Sequence, residues 1–223
     1  MAMKKQLSDR VILTINPNSS DIVTRAIDDA VAPLRLEGGP QIKVIGLPTG
    51  PKGIATQRDS DSVIIPLTQL VKDDTSDAFV IACFSDPGLH AVREVADGRP
   101  VMGIAEWGLL KALTRGERFG IIALSSSSVK RQQRMVRTMG IESRYAGSQP
   151  IGATAAESAG QDIRDRMIKA GHELVSHMKA DVVVLGCAGM SSHRHAIEEA
   201  IGCPVIEPSQ QAVAAALGAL ALS

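Results

Sequence analysis

Asp77-Ala78-Phe79-Val80-Ile81-Ala82-Cys83 and Asp181-Val182-Val183-Val184-Leu185-Gly186-Cys187 decide the fold of this chain. Each segment is an aspartate, a short continuous apolar run and a cysteine. An apolar run without polar alternation suits a strand covered on both faces, the pattern of a parallel sheet between helices. The two copies keep register beyond the strand. Pro100 stands 17 residues after Cys83 and Pro204 stands 17 after Cys187, each followed by valine and another apolar residue. The opening strands of the two halves, 11–15 and 120–124, correspond with a slippage of about five residues. This reads as an internal duplication: an α/β fold of two pseudo-symmetric, mostly parallel, Rossmann-like halves. Residues 1–105 would carry Cys83 and residues 106–223 Cys187, with a cleft between them and the C-terminal helix packed back on the first half.

Working outward, apolar runs predict strands at 11–15, 42–47, 78–83, 101–104, 119–124, 142–146, 181–186 and 205–206. Helical spacing predicts helices over 19–36, 61–72, 87–96, 129–139, 159–178, 192–201 and 209–222. Asp86-Pro87 reads as a cap followed by proline at the first helical position, and Ser191 or Ser192 as the cap of the helix after Cys187.

Composition closes off several functions. Lys+Arg 24 against Asp+Glu 24 leaves no net charge to draw the chain to nucleic acid or an anionic membrane. Aromatic residues make up 2% of the chain, too few for base-stacking platforms. Three cysteines, an odd number, argue against a disulfide framework and fit a reducing compartment. The basic N-terminus has no apolar run behind it, and the apolar stretch 212–222 is too short to span a bilayer. A cytoplasmic protein is expected, with a small-molecule partner, no nucleic-acid or membrane partner, and homo-oligomeric assembly.

Cys83 and Cys187 fall at the carboxyl ends of equivalent strands, the edge where open α/β sheets bind ligands. Each precedes a helix, whose N-terminus is expected to lower the thiol pKa. Cys203, just before Pro204, reads as packing. His193 and His195, two residues apart, do not share a helix face and have no ligand neighbours at metal spacing, so they read as surface residues. His172 and His177 read as solvated. The serine run 125–128, between a strand and a helix, is a candidate cradle for a carbonyl or small anion. Gly186-x-x-Gly189 is not the dinucleotide fingerprint and no phosphate-binding glycine loop is present, so neither nucleotide nor other cofactor, nor metal, is expected.

Cys83-Phe84-Ser85-Asp86-Pro87-Gly88-Leu89, with Arg93-Glu94, resembles the first cysteine motif of hydantoin and allantoin racemases in the aspartate/glutamate racemase superfamily. Leu185-Gly186-Cys187-Ala188-Gly189-Met190 resembles the second. Ile15-Asn16-Pro17-Asn18-Ser19, the loop at Gly50-Pro51, Pro100–Glu106 and Pro204–Glu207 resemble other family segments, so the similarity runs over almost the whole chain. Ser85 stands where the family usually has glycine, Ala123-Leu124 where it has paired threonines, and Glu207-Pro208-Ser209 lacks a usual glycine. Residues 147–161 match poorly.

The resemblance implies cofactor-independent racemisation of a hydantoin- or allantoin-like cyclic ureide. One cysteine removes the proton α to a carbonyl and the other returns one to the opposite face. Backbone N–H groups at Phe84, Ser85, Ala188 and Gly189, with Asn16, Ser125 and Ser126 on the rims, would bind the substrate and its enolate. An amino-acid racemase, or a maleate-type cis–trans isomerase, is the alternative on the same scaffold. Arylmalonate decarboxylases keep only the second cysteine, so two disfavour that type. A thiol-dependent binding or redox-sensing protein is the alternative without turnover.

Overall fold

A computed structural model describes residues 5–223; the four residues before them, part of the stretch read as lacking a signal sequence, lie outside the described residues. Two four-stranded parallel sheets form the centre, and both have the same strand order. The first comprises β1 (Val11–Asn16), β2 (Gln41–Gly46), β3 (Ala78–Ile81) and β4 (Val101–Gly103), ordered β2-β1-β3-β4. The second comprises β5 (Phe119–Ala123), β6 (Tyr145–Pro150), β7 (Val182–Leu185) and β8 (Val205–Ile206), ordered β6-β5-β7-β8. The apolar runs that opened the sequence reading are β3 and β7, buried along their whole length.

The repeat holds in detail, with one correction. β3 and β7 align through their cysteines, whereas Ile12 pairs with Ala78 and Phe119 with Val182. The opening strands are therefore out of step by three residues, not five. The repeated aspartates do the same structural task. Asp77 accepts the Val11 N–H at 2.8 Å, and Asp181 accepts the Glu117 and Arg118 N–H groups at 2.8 and 2.9 Å. Each carboxylate satisfies amides at the entry to its half's first strand, which would otherwise lack a partner.

Helices cover both faces of each sheet, and several differ from the sequence expectations. α1 (Asp21–Val31) stops short of Pro33. The helix expected over 61–72 is two, α2 (Gln57–Ser62) and α3 (Ile64–Asp73). Pro66 sits in the first turn of α3, where a missing N–H costs nothing. α4 (Leu89–Val95) begins after Gly88, whose φ of 66° suits glycine. An unforeseen helix, α5 (Ile104–Leu113), leaves β4 directly. α6 spans Ser126–Thr138. The strand expected at 142–146 is a 3-10 turn, Glu142–Arg144, with β6 beginning at Tyr145. The helix expected from 159 starts only at Arg164, as α7 (Arg164–Ser176). α8 (Arg194–Ile201) and α9 (Pro208–Leu222) complete the chain.

The two halves exchange their last helices. α5 follows the first sheet but packs Ala105, Leu109 and Ala112 on Phe119, Ile121, Val182 and Val184 of the second. α9 follows the second sheet but packs Ala212, Val213, Ala216 and Leu220 with Ile12 and Val80 of the first and Val23 of α1. The helices touch where α5 carries Gly108, at which a Cβ would lie 2.8 Å from Pro208 Cβ.

Candidate active site between the sheets

Cys83 and Cys187 each stand two residues beyond a central strand, at the carboxyl edges of the two sheets, and they line one chamber of about 40 Å³. That is room for about three waters. Phe84, Ser85 and Ala188 line it too, as do Asn18, Ser128, Arg131 and Gln132. A cavity of about 270 Å³ adjoins it, sharing Phe84, Ser85, Arg131 and Gln132. A third, of about 520 Å³, shares Ile54, Leu124, Ser128 and Ala155 and lies among the loops after β2, β5 and β6.

Of the remaining expected rim residues, Ser125 lines the third cavity, and Asn16, Ser126 and Gly189 line none of the three. Asn16 is fully buried, and its Nδ2 donates to Asn18 Oδ1 and Thr24 Oγ1, both at 3.0 Å. It holds Asn18, and Asn18 lines the chamber. Ser125 caps α6 by accepting the Ser128 N–H, and Ser126 is exposed. Of the serine run, Ser128 lines the chamber. Gly189 is pressed against Ser158, whose Oγ would lie 2.4 Å from an added Cβ.

Each thiol has its own hydroxyl neighbour. Cys83 Sγ is 3.3 Å from Ser85 Oγ, and Cys187 Sγ is 3.6 Å from Ser158 Oγ. The Ser85 and Gly189 N–H groups, each two residues past its cysteine, also favour the thiolate. Burial nevertheless dominates. It pushes Cys83 up to about 12, with the charges of Cys187 and Asp86 adding to the rise. Cys187 is raised as well, by burial first. The lowered thiol pKa values expected from helix N-termini are thus absent. α4 begins six residues after Cys83, beyond the first-turn reach of a helix dipole. Cys187 does cap a helical turn, the 3-10 segment Ala188–His193, but desolvation outweighs it. Burial also raises Cys203, to about 11, so the catalytic candidates hold no ionisation advantage over it.

Asp86 corrects another expectation. It caps α5, not α4: its carboxylate accepts the Ala105 N–H at 3.0 Å and the Glu106 N–H at 2.8 Å. Its backbone adopts φ 41° to reach there, and burial raises its pKa to about 7. In the second half the cap is different. Glu207, immediately before α9, accepts the Ser209 and Gln210 N–H groups itself. Gly103 holds the equivalent position before α5, where a Cβ would fall 2.3 Å from the Asp86 carboxyl carbon. The first half therefore uses a bare glycine and imports its carboxylate from the Cys83 loop.

Neither Ser191 nor Ser192 caps α8; Ser191 Oγ donates to the Ala26 carbonyl instead. His193 is fully buried, not a surface residue, with neither ring nitrogen hydrogen-bonded among the described residues. His172 and His195 are exposed, as is His177, which pairs with Glu173.

Ser158 and Arg131 escaped the sequence reading. Ser158 is 29 residues from the cysteine it meets, and no local pattern marks it. Arg131 lies three residues after Ser128 on one helix face, a spacing that could have identified it. Among the described residues, no group of His, Cys, Asp and Glu could hold a metal ion, and no helix is long and apolar enough to cross a membrane.

Residues 12–216 match the family profile described as Asp/Glu/Hydantoin racemase. A hydantoin racemase from Paenarthrobacter aurescens is 33% identical over 217 residues, 95% of this chain and 91% of the relative. Another, from Pseudomonas sp. (strain NS671), is 31% identical over 88% of this chain and 80% of its own length. Among solved structures, an allantoin racemase from Klebsiella pneumoniae superposes with a TM-score of 0.90 at 25% identity, covering 96% of this chain and 88% of its own.

Proposed function

This chain belongs to the Asp/Glu/hydantoin racemase family and is an isomerase of the racemase type, and from that premise we propose that it inverts the α-carbon of a hydantoin- or allantoin-like cyclic ureide with Cys83 and Cys187 as its two bases. The observation that carries this reading is the pair of thiols at equivalent strand ends facing one chamber.

One thiolate takes the α-proton from one face of the ring, and the electron pair moves into the carbonyl to give an enolate. The other cysteine, still a thiol, delivers its proton to the opposite face. The enantiomer runs through the same site with the roles exchanged. Ser85 Oγ supports a Cys83 thiolate and the Gly189 N–H a Cys187 thiolate, while the Phe84 and Ala188 N–H groups are the backbone donors left for the enolate oxygen. A ureide suits raised thiol pKa values better than a free amino acid does, because its α-carbon has no adjacent carboxylate and gives up its proton more readily. The chamber and the cavities that share its walls are the room the ring would take, and exclusion of water around it strengthens the electrostatic contacts to the enolate.

Incubation in D2O with single enantiomers of 5-substituted hydantoins and allantoin tests this. The expected result is loss of optical rotation with deuterium entering the α-carbon. Binding without exchange would instead mark a thiol-dependent binding protein. Turnover of aspartate or glutamate in place of ureides would mark the amino-acid racemase.

A further inference from the structure

Two carboxamides line the thiol chamber, one from each half: Asn18, in the turn between β1 and α1, and Gln132, on α6. Both are buried, 4% and 3% exposed, and in both the oxygen already has its partner. Asn18 Oδ1 accepts the Ser20 N–H at 2.9 Å and the Asn16 Nδ2 at 3.0 Å. A backbone N–H only donates, so the oxygen must be the atom that meets it and Nδ2 the one that turns away. Gln132 Oε1 accepts the Ser148 hydroxyl at 2.7 Å, and Ser148 Oγ in turn lies 2.5 Å from the Tyr145 hydroxyl. Gln132 Nε2 is left beside the strand end that carries Cys187, 2.8 Å from where a Cβ on Gly186 would lie. Neither NH2 group has an acceptor among the described residues. A buried donor without an acceptor is costly to a fold, and a ligand that brings acceptors removes the cost.

We infer that Asn18 Nδ2 and Gln132 Nε2 form a carbonyl clamp, each donating to one of the two ring carbonyls of a cyclic ureide held between the thiols. The clamp rests on the ureide reading above and deepens it: the pair of carbonyls, rather than the ring substituent, is what the chamber recognises. No carboxylate lines the chamber among the described residues, and the one fixed charge on its wall is the Arg131 guanidinium. An α-ammonium group would therefore meet donors and a cation, whereas a neutral ring with two carbonyl oxygens meets a donor for each. The amide on the carbonyl next to the α-carbon also faces the enolate oxygen as it forms, alongside the Phe84 and Ala188 N–H groups. The other amide fixes the ring.

The test measures binding by calorimetry with two probes that cannot turn over. One, 5,5-dimethylhydantoin, has both ring carbonyls and no α-proton. The other, dimethylimidazolidinone, is the same ring without the carbonyl next to the α-carbon. Asn18→Ser keeps an oxygen for the Ser20 N–H and Gln132→Met keeps the length of the side chain, while both drop the NH2 group. Each variant is expected to weaken dimethylhydantoin about tenfold, the worth of one hydrogen bond. Dimethylimidazolidinone should be weakened by one variant and not by the other, because one carbonyl remains to be held. The variant that spares it marks the amide at the enolate oxygen, and its kcat on a chiral hydantoin should fall about 100-fold or more. Thermal unfolding and iodoacetamide labelling of Cys83 and Cys187 should stay parental in both variants, which guards against a folding defect. Dimethylhydantoin binding of parental strength in either variant overturns the clamp alone and leaves ureide turnover by the parent to stand. Equal weakening of both probes by both variants would mean a distorted chamber and overturns the clamp too. A parent that binds neither probe overturns the ureide reading and the clamp together.

Discussion

Gly103→Ala is expected to dislodge Asp86 and uncap α5. The new Cβ would sit 2.3 Å from the Asp86 carboxyl carbon and from one of its oxygens, a separation that real structures do not tolerate. The carboxylate must leave, and with it go the bonds to the Ala105 and Glu106 N–H groups. Loss of a helix cap costs about 0.5–2 kcal/mol, and overpacking a filled site about 1–3 kcal/mol. The sum is about 1.5–5 kcal/mol, readable as a lower urea midpoint at constant m-value. The decisive measurement is a double-mutant cycle. Asp86→Ala alone loses the cap but opens the space, so adding Gly103→Ala to it should cost little. An undiminished penalty in the Asp86→Ala background would refute the steric argument. A second arm copies the other half: Asp86→Ala with Gly103→Glu supplies the carboxylate from the position Glu207 holds before α9 and should recover part of the lost stability. pH adds a further check. The Asp86 pKa is raised to about 7, so folding favours its protonated form. Its contribution is fully present below about pH 4, the unfolded value, and is lost as pH rises towards 7. The deficit of Asp86→Ala should therefore be larger at pH 5 than at pH 8.

Cys83→Ser and Cys187→Ser should each abolish racemisation, while each retains α-proton exchange for only the enantiomer that faces its remaining thiol; Cys203→Ser should stay within a few-fold of the parent, and full racemisation in either of the first two would mean the bases are misassigned. Because burial raises both thiols, Cys83 to about 12, the ionised fraction grows with pH, and kcat/KM should climb about tenfold per unit through pH 9; a plateau at or below neutrality would contradict the buried-thiol reading. Gly186→Ala would place a Cβ 2.4 Å from the Ile122 carbonyl and 2.8 Å from Gln132 Nε2. It should destabilise by about 1–3 kcal/mol and disturb Cys187, and thermal unfolding with kinetics on the same sample checks both.

The duplication was legible because β3 and β7 are buried on both faces and must be apolar throughout, which leaves the flanking aspartates, cysteines and prolines as fixed marks. The cysteine placement followed from the same marks. What escaped were features whose partners lie far along the chain. α5 carries Leu109 and Ala112 towards the second sheet and Gly108 towards α9, so apolar residues surround it and no amphipathic stripe announces a helix. Asp86-Pro87 looked like a local cap, but the nearest orphan amides it could reach belong to Ala105 and Glu106. The thiol pKa values were misjudged for a related reason: a helix N-terminus is visible in sequence, while the desolvation of a sulfur between two halves is not. His193 was read as a surface residue from its spacing to His195, yet the 3-10 segment Ala188–His193 buries it fully.

The exchange of α5 and α9 means that neither half is complete by its own residues. Each sheet is sealed by a helix that the other half supplies, so cutting the exposed connection between α5 and β5 would free no self-sufficient module: a lone half would leave its lent helix and its uncovered sheet face to water. The two helices meet where Gly108 faces Pro208, and any separation of the sheets would have to act across that contact.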